Sequence, residues 1–398
     1  MLTTRCTGYL RLSPLEVAMG LPTTASAEAL PQPEIPPPTS GARGVLREVL
    51  GQTLEAGPVF VAFSGGRDSS AVLAVAVSVA RERGTALPVP VTYRYPGDGD
   101  ADENEWQDMV LRHLGVTEHV VIDITDQQRI LGPSARESMA TRGLVWPASV
   151  NIDHEMLSRV RGGVLLTGEG GDELFSGRRS APLARLRRTV RRRHRPRPGD
   201  VRAAVRTLLP QGAALRTEAE RVQGTTAPWL RGHAREEFVA TVRDHQSEPV
   251  RWDRSIRVAA ARPLARAVYH NLDLVARDYD VRLVHPLLEP AFVSAWIGDG
   301  GRLGVTGRTA AMRQLFDDVL PEPVLGRSSK AFFNASRFGA GERDFARRWD
   351  GRGLELEHID PDTLRETWLH AELIGRSDIP LMAAWMASQG LPLEGPRP

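Results

Sequence analysis

The sequence predicts an α/β fold: a parallel, doubly wound sheet followed by a mainly helical C-terminal half. Three observations carry the prediction. Short apolar runs alternate with helix-period segments up to about residue 167. Two of those runs lead directly into glycine-rich turns. After residue 180 the short runs stop and helical spacing continues towards the C-terminus.

In order along the chain, residues 1–41 end in PQPEIPPPTSG, which reads as an extended polyproline spacer. They are expected to form a tail or remnant rather than a domain. Residues 44–56 (GVLREVLGQTLEA) have helical spacing, and 59–63 (VFVAF) form a short buried strand. A helix rich in Ala and Val follows over 69–83. The segment 88–95 (PVPVTYRY) is a second strand, 105–114 a helix, 119–124 a third strand and 164–167 (VLLT) a fourth. Beyond residue 180 the expected helices lie near 201–209, 233–246, 254–278, 289–297, 307–319, 341–350, 361–373 and 379–388. This divides the chain into a tail (1–41), an α/β core (42–180), an arginine-rich insert with helices (181–250) and a helical part completing the domain (251–398).

Composition excludes several classes. At 398 residues, 41% hydrophobic and 25% charged, the chain is an ordinary globular protein. No apolar run approaches the ~18 residues of a membrane span. The first residues lack the basic and apolar regions of a secretory signal, so the expected location is the cytoplasm. A single cysteine, Cys6, precludes an internal disulfide or a multi-cysteine zinc site. The net charge of +2 gives no global basic field. Of the 51 basic residues only Lys330 is a lysine, so nearly every position accepting either cation carries arginine. A compact, mobile ammonium retained against that bias points to function.

The first glycine-rich turn reads SGGRDS (64–69). A parallel strand that ends in glycines and opens a helix is an anion site, because the helix N-terminus presents unpaired N–H groups and the positive end of its dipole. Gly65 and Gly66 allow close approach and positive φ, and Ser64 and Ser69 add hydroxyl donors. A Walker loop would supply a lysine; here Arg67 and Asp68 stand instead. An aspartate beside polyphosphate is tolerable with a divalent cation between them, so Asp68 is a candidate Mg²⁺ ligand. The second turn reads GEGGDELFSG (168–177), with Glu169, Asp172 and Glu173 close together. Three adjacent carboxylates repel, so at least one should meet a cation or have a raised pKa.

SGGRDS resembles the loop of the PP-loop ATP pyrophosphatases, of the adenine nucleotide α-hydrolase-like fold, which cleave ATP between its α and β phosphates. Together with GEGGDELFSG it resembles the synthetase domain of class B asparagine synthetases. Three further segments support this: 100–120, 270–296 (containing His285, Pro286 and Glu289) and 307–333 (GRTAAMRQLFDDVLPEPVLGRSSKAFF). The resemblance covers about residues 44–390 and includes the related β-lactam synthetases and lasso-peptide cyclases.

The resemblance implies an ATP-dependent ligase that adenylates a carboxylate, releases pyrophosphate and passes the acyl group to an amine. It implies ATP on Ser64, Gly65, Gly66, Asp68, Ser69 and Gly168, with Mg²⁺ on Asp68 and Asp172. Lys330 falls where the family carries a catalytic lysine, and Glu169 where a glutamate deprotonates the amine. β-Lactam synthetase has tyrosine at that second position. Asparagine synthetases open with Met-Cys and an amidotransferase domain. Here position 2 is Leu, so glutamine hydrolysis is not expected, and ammonia, a substrate amine or a separate partner protein would supply the nitrogen. The alternatives are intramolecular cyclisation, as in the macrolactam- or β-lactam-forming relatives, and a non-catalytic ATP-binding descendant. Specialised metabolism is the expected setting.

Three other features remain. The tract 185–197 holds eight arginines; it reads as a solvated insert first, a surface for an acidic peptide or partner second, and a nucleic-acid contact last. Trp146-Pro147-Ala148-Ser149 lies where the resemblance places the family's acceptor pocket, and Asn151 and Asp153 are expected to help bind substrate there. His119, His270 and His285 lack metal-ligand spacing and are expected to be structural.

Overall fold

The computed structural model describes residues 8–97, 99–152, 154–329, 334–370 and 375–395. Its centre is a five-stranded sheet of β1 (Val59–Ala62), β2 (Val89–Arg94), β3 (Val120–Asp123), β4 (Val164–Leu166) and β5 (Arg282–Val284). The order is β3-β2-β1-β4-β5. All pairings are parallel, with Phe60 opposite both Val89 and Leu165, Val91 opposite Val120, and Val164 opposite Arg282. The chain moves outward from β1 to β3, then returns to place β4 on the other side of β1. The order therefore reverses between β1 and β4, the position at which open parallel sheets bind ligands beyond their strand ends. Both glycine-rich turns leave the sheet there. Strand β5 is absent from the sequence-based expectation; it opens on an exposed arginine and follows a helical segment, so no apolar run marks it as β4 is marked.

The Arg67–Arg83 helix covers the sheet, and its Ala and Val side chains are buried. Small side chains let the Ala42–Leu54 helix pack closely on it, with Leu46 and Leu50 wholly buried. The core continues through a cluster of aromatic edges. Phe175 meets Trp296 at 5.7 Å and Phe316 at 6.0 Å, and Trp252 meets Trp296 at 5.4 Å. That cluster holds the turn after β4 against the C-terminal helices. The expected long helix near 254–278 is two helices, Trp252–Ala260 and Pro263–Asp278. Pro263 removes an amide donor and forces Arg262 into extended backbone (ψ 127°).

A second core joins the C-terminal helices to the N-terminal segment, which corrects the expectation of a tail. Residues 13–30 carry two short helices, Pro14–Met19 and Thr24–Glu28. Val17, Met19 and Leu21 are buried among Trp229, Phe238, Trp368 and Met382. Trp229 donates its indole N–H to the Ala18 carbonyl at 2.9 Å, and Trp146 to that of Gly20 at 3.1 Å. Ser13 and Glu16 form a capping box. Glu16, 2% exposed, also accepts from the Thr23 amide at 2.7 Å and its hydroxyl at 2.9 Å. Burial alone would raise its pKa; the hydrogen bonds from Ser26, Ser13 and Thr23 outweigh this and hold it below the usual glutamate value. The proline run lies largely exposed over the surface, with Ile35 packed on the core and the Pro36 carbonyl accepting from Ser294 Oγ. No helix among the described residues is long and apolar enough to cross a membrane.

Candidate active site

Beyond the C-terminal ends of β1 and β4 lies a cavity of about 510 Å³. SGGRDS approaches it from β1 and GEGGDE from β4. The two turns touch. A Cβ at Gly168 would come within 2.6 Å of the Ser69 nitrogen, and one at Gly171 within 2.1 Å of Asp68 Cγ. Only glycine allows this approach. Ser64, Gly66, Asp68, Ser69, Gly168, Glu169 and Asp172 all line the cavity. Gly65 lies behind it and has the positive φ expected, +78°, facing Gln107. Gly66 does not: it has extended backbone (φ −70°) and is the N-cap of the Arg67–Arg83 helix, so its value lies in leaving the first-turn amides uncovered. The serine hydroxyls knit the loop. Ser64 Oγ lies 3.1 Å from Ser69 Oγ and accepts from the Gly66 amide at 3.3 Å.

Five carboxylates line the described cavity (Asp68, Glu103, Glu169, Asp172, Glu173), against three guanidiniums (Arg67, Arg308, Arg327). Arg308 was not singled out in the sequence. Its guanidinium forks across the two acidic turns, donating one Nη to Asp68 Oδ2 and the other to Asp172 Oδ1. Asp68 Oδ1 is buried with no hydrogen-bond partner. Burial pushes the Asp68 carboxyl up to about 6; Arg308 acts in the opposite sense, and Asp172 reinforces the rise. The raised pKa thus falls on Asp68, outside the Glu169, Asp172 and Glu173 group for which it was expected; within that group Asp172 meets a cation in Arg308. Glu173 accepts from the Tyr269 hydroxyl at 3.2 Å. Burial, then Glu173 and Glu169, raises the Tyr269 pKa and keeps that hydroxyl protonated.

A second arginine sets the far wall. Arg327, 6% exposed, donates to the Gly65 carbonyl at 3.0 Å and lies 2.5 Å from Glu103, with its guanidinium over Trp106. It also donates to Ser329 Oγ at 3.0 Å, so it ties the stretch before residue 330 to the first turn. Lys330 itself lies outside the described residues. Tyr93, Met156, Leu272 and Leu283 add an apolar wall. The signal for Arg308 and Arg327 was present, since both sit in the quoted 307–333 segment, but nothing in it ranked them above the other arginines.

The remaining expectations divide. Asn151 does not line the cavity. It is fully buried, accepting from Ser138 Oγ at 3.2 Å and donating to the Val145 carbonyl at 2.5 Å, so its amide is spent on a turn. Asp153 lies outside the described residues. His285 sits behind the site with Nδ1 2.6 Å from Thr167 Oγ1, and burial pulls its pKa down to about 4. His270 meets the Gly8 carbonyl at 2.9 Å.

Residues 42–387 match the model of the asparagine synthase family. No curated protein matches the chain. The match spans most of the 398 residues, so the chain belongs to the asparagine synthase family, whose members are ATP-dependent amide-forming ligases.

Proposed function

We propose that this member of the asparagine synthase family adenylates a carboxylate with ATP, releases pyrophosphate, and passes the acyl group to an amine without hydrolysing glutamine. One observation carries the reading: two glycine-rich turns on neighbouring parallel strands converge, and Arg308 bridges Asp68 of one to Asp172 of the other. A triphosphate entering between them meets first-turn amides of the Arg67–Arg83 helix and the hydroxyls of Ser64 and Ser69.

Among the described lining residues carboxylates outnumber guanidiniums, and a cation entering with the triphosphate would offset their repulsion. Asp68, with an unpartnered buried oxygen, and Asp172 fit as the residues that would hold Mg²⁺. Bound there, the ion would neutralise phosphate charge. In the first step a substrate carboxylate oxygen attacks the α-phosphorus and the bond to the β-phosphate oxygen breaks. In the second, an amine attacks the acyl carbon, AMP leaves, and the amine's proton passes to Glu169, whose position in the cavity wall suits a base. Lys330 is assigned the charge that builds on the acyl and phosphoryl oxygens. Arg327 positions the stretch leading to it. The amine comes from free ammonia, from the substrate itself or through a separate partner protein.

ATP–pyrophosphate exchange dependent on a carboxylate and Mg²⁺ is the test. ATP cleaved to ADP would defeat the reading.

A further inference from the structure

Across the Arg308–Phe316 helix from the active site lies a second concavity of about 630 Å³. One wall is the Ala181–Arg191 helix, which presents Arg187, Arg188 and Arg191, with Arg192 just beyond it. The other is the segment 303–317, which presents Arg313 and Asp317. The floor is apolar: Ala184, Leu303, Val305 and Ala310. Five guanidiniums therefore face one carboxylate. Arg313 is engaged by Glu322, with Nε 3.0 Å from Oε1. Arg187, Arg188, Arg191 and Arg192 are exposed and have no side-chain partner among the described residues. This sets them apart from arginines such as Arg83, which sits between Glu55 at 2.8 Å and Glu48 at 3.3 Å.

We propose that this groove is a binding site for an acidic peptide segment that interleaves carboxylate and apolar side chains. Carboxylates match the planar fork of guanidinium, and helical spacing at 187/188 and 191/192 offers two successive pairs of forks. The apolar floor gives the intervening side chains a surface to cover. A single small anion would leave most of the arginines unengaged. Nucleic acid is less well served, since no aromatic side chain lines the groove for base stacking. A bilayer surface cannot enter a concavity walled on both sides. The assignment concerns binding alone and does not rest on the adenylation reading.

The test uses the full chain and a fluorescein-labelled peptide of alternating Glu and Leu, with alternating Lys and Leu as control. Saturable binding is expected for the acidic peptide only. It should weaken at least about tenfold when NaCl rises from ~0.05 to ~0.3 M. The variant R187Q/R188Q/R191Q/R192Q should lose at least about tenfold in affinity while its circular dichroism and ATP binding stay unchanged. If that variant does not fold, the single changes Arg188→Glu and Arg191→Glu should each weaken binding roughly threefold. No binding, or equal binding by the variants, overturns the proposal. So does tighter binding of a single-stranded oligonucleotide or of phosphatidylserine vesicles.

Discussion

The two cavities share one helix as a wall and have opposite electrostatics. In the first, carboxylates outnumber guanidiniums among the described residues, and Arg308 and Arg327 are each fixed between acidic or carbonyl oxygens. In the second, guanidiniums outnumber carboxylates and four of them are unpaired among the described residues. A chain that uses arginine for nearly every cation therefore gives the same side chain two tasks. Paired and buried, it is an architectural cation that holds acidic turns at contact distance. Exposed and unpaired, it is a field that attracts what carries the opposite charge. Composition is blind to this distinction, because it lies in the partners.

The comparison can be broken most severely at Asp68. Asp68→Asn removes one of the two charges that converge on Arg308, and ATP–pyrophosphate exchange is expected to fall by ~10³ or more. Residual exchange near the parent level would mean that the converging carboxylates are not the reaction centre. Lys330→Arg should retain the fold yet lose roughly 10²-fold in exchange, since arginine cannot place a compact ammonium. A fully active variant removes the role assigned to that lysine. Arg327→Ala strands Glu103 against the first turn without its cation; chemical denaturation should show a loss of about 3–5 kcal/mol, the usual cost of breaking a buried pair on one side. By contrast, Arg188→Gln with Arg191→Gln in the second groove should change stability by less than ~0.5 kcal/mol and leave exchange with a small carboxylate within about twofold. A large effect there would show that the two cavities are coupled through the shared helix.

A separate, pH-dependent effect concerns a histidine away from both cavities. His154 is held down to about 4 by burial, with Arg142 beside it as the next cause. The folded state thus refuses a proton that the unfolded chain accepts below 6.5. Stability from this histidine is intact above 6.5 and declines as pH falls from there towards 4. His154→Gln should flatten that part of the stability–pH curve in a denaturant titration; an unchanged slope would place the histidine in water instead.

Much of this was legible in the chain. The alternation of strands and helices to residue 167 reports a parallel sheet because each element has its own period. The two motifs are local: glycines, serines and acids fall within a few positions of a strand end and are legible wherever that strand sits. Other features were legible in principle. Ser13 and Glu16 have the spacing of a capping box, a helix start that the proline run after them obscured. Gly66 could not be told from Gly65, since either glycine permits positive φ and only the turn decides which one uses it.

By itself, then, the sequence determined the α/β class, the two glycine-rich turn motifs and the family to which they belong, because those properties reside in short-range pattern. Tertiary structure alone decided that β4 returns beside β1, so that Gly168 lies against Ser69 and Gly171 against Asp68. It also decided that Arg308, far along the chain, closes the pair, that residues 13–30 are core, and which arginines remain unpaired. The physical reason is the same in each case. Charge compensation, close backbone approach and burial depend on distances between segments remote in sequence, and strand order sets those distances.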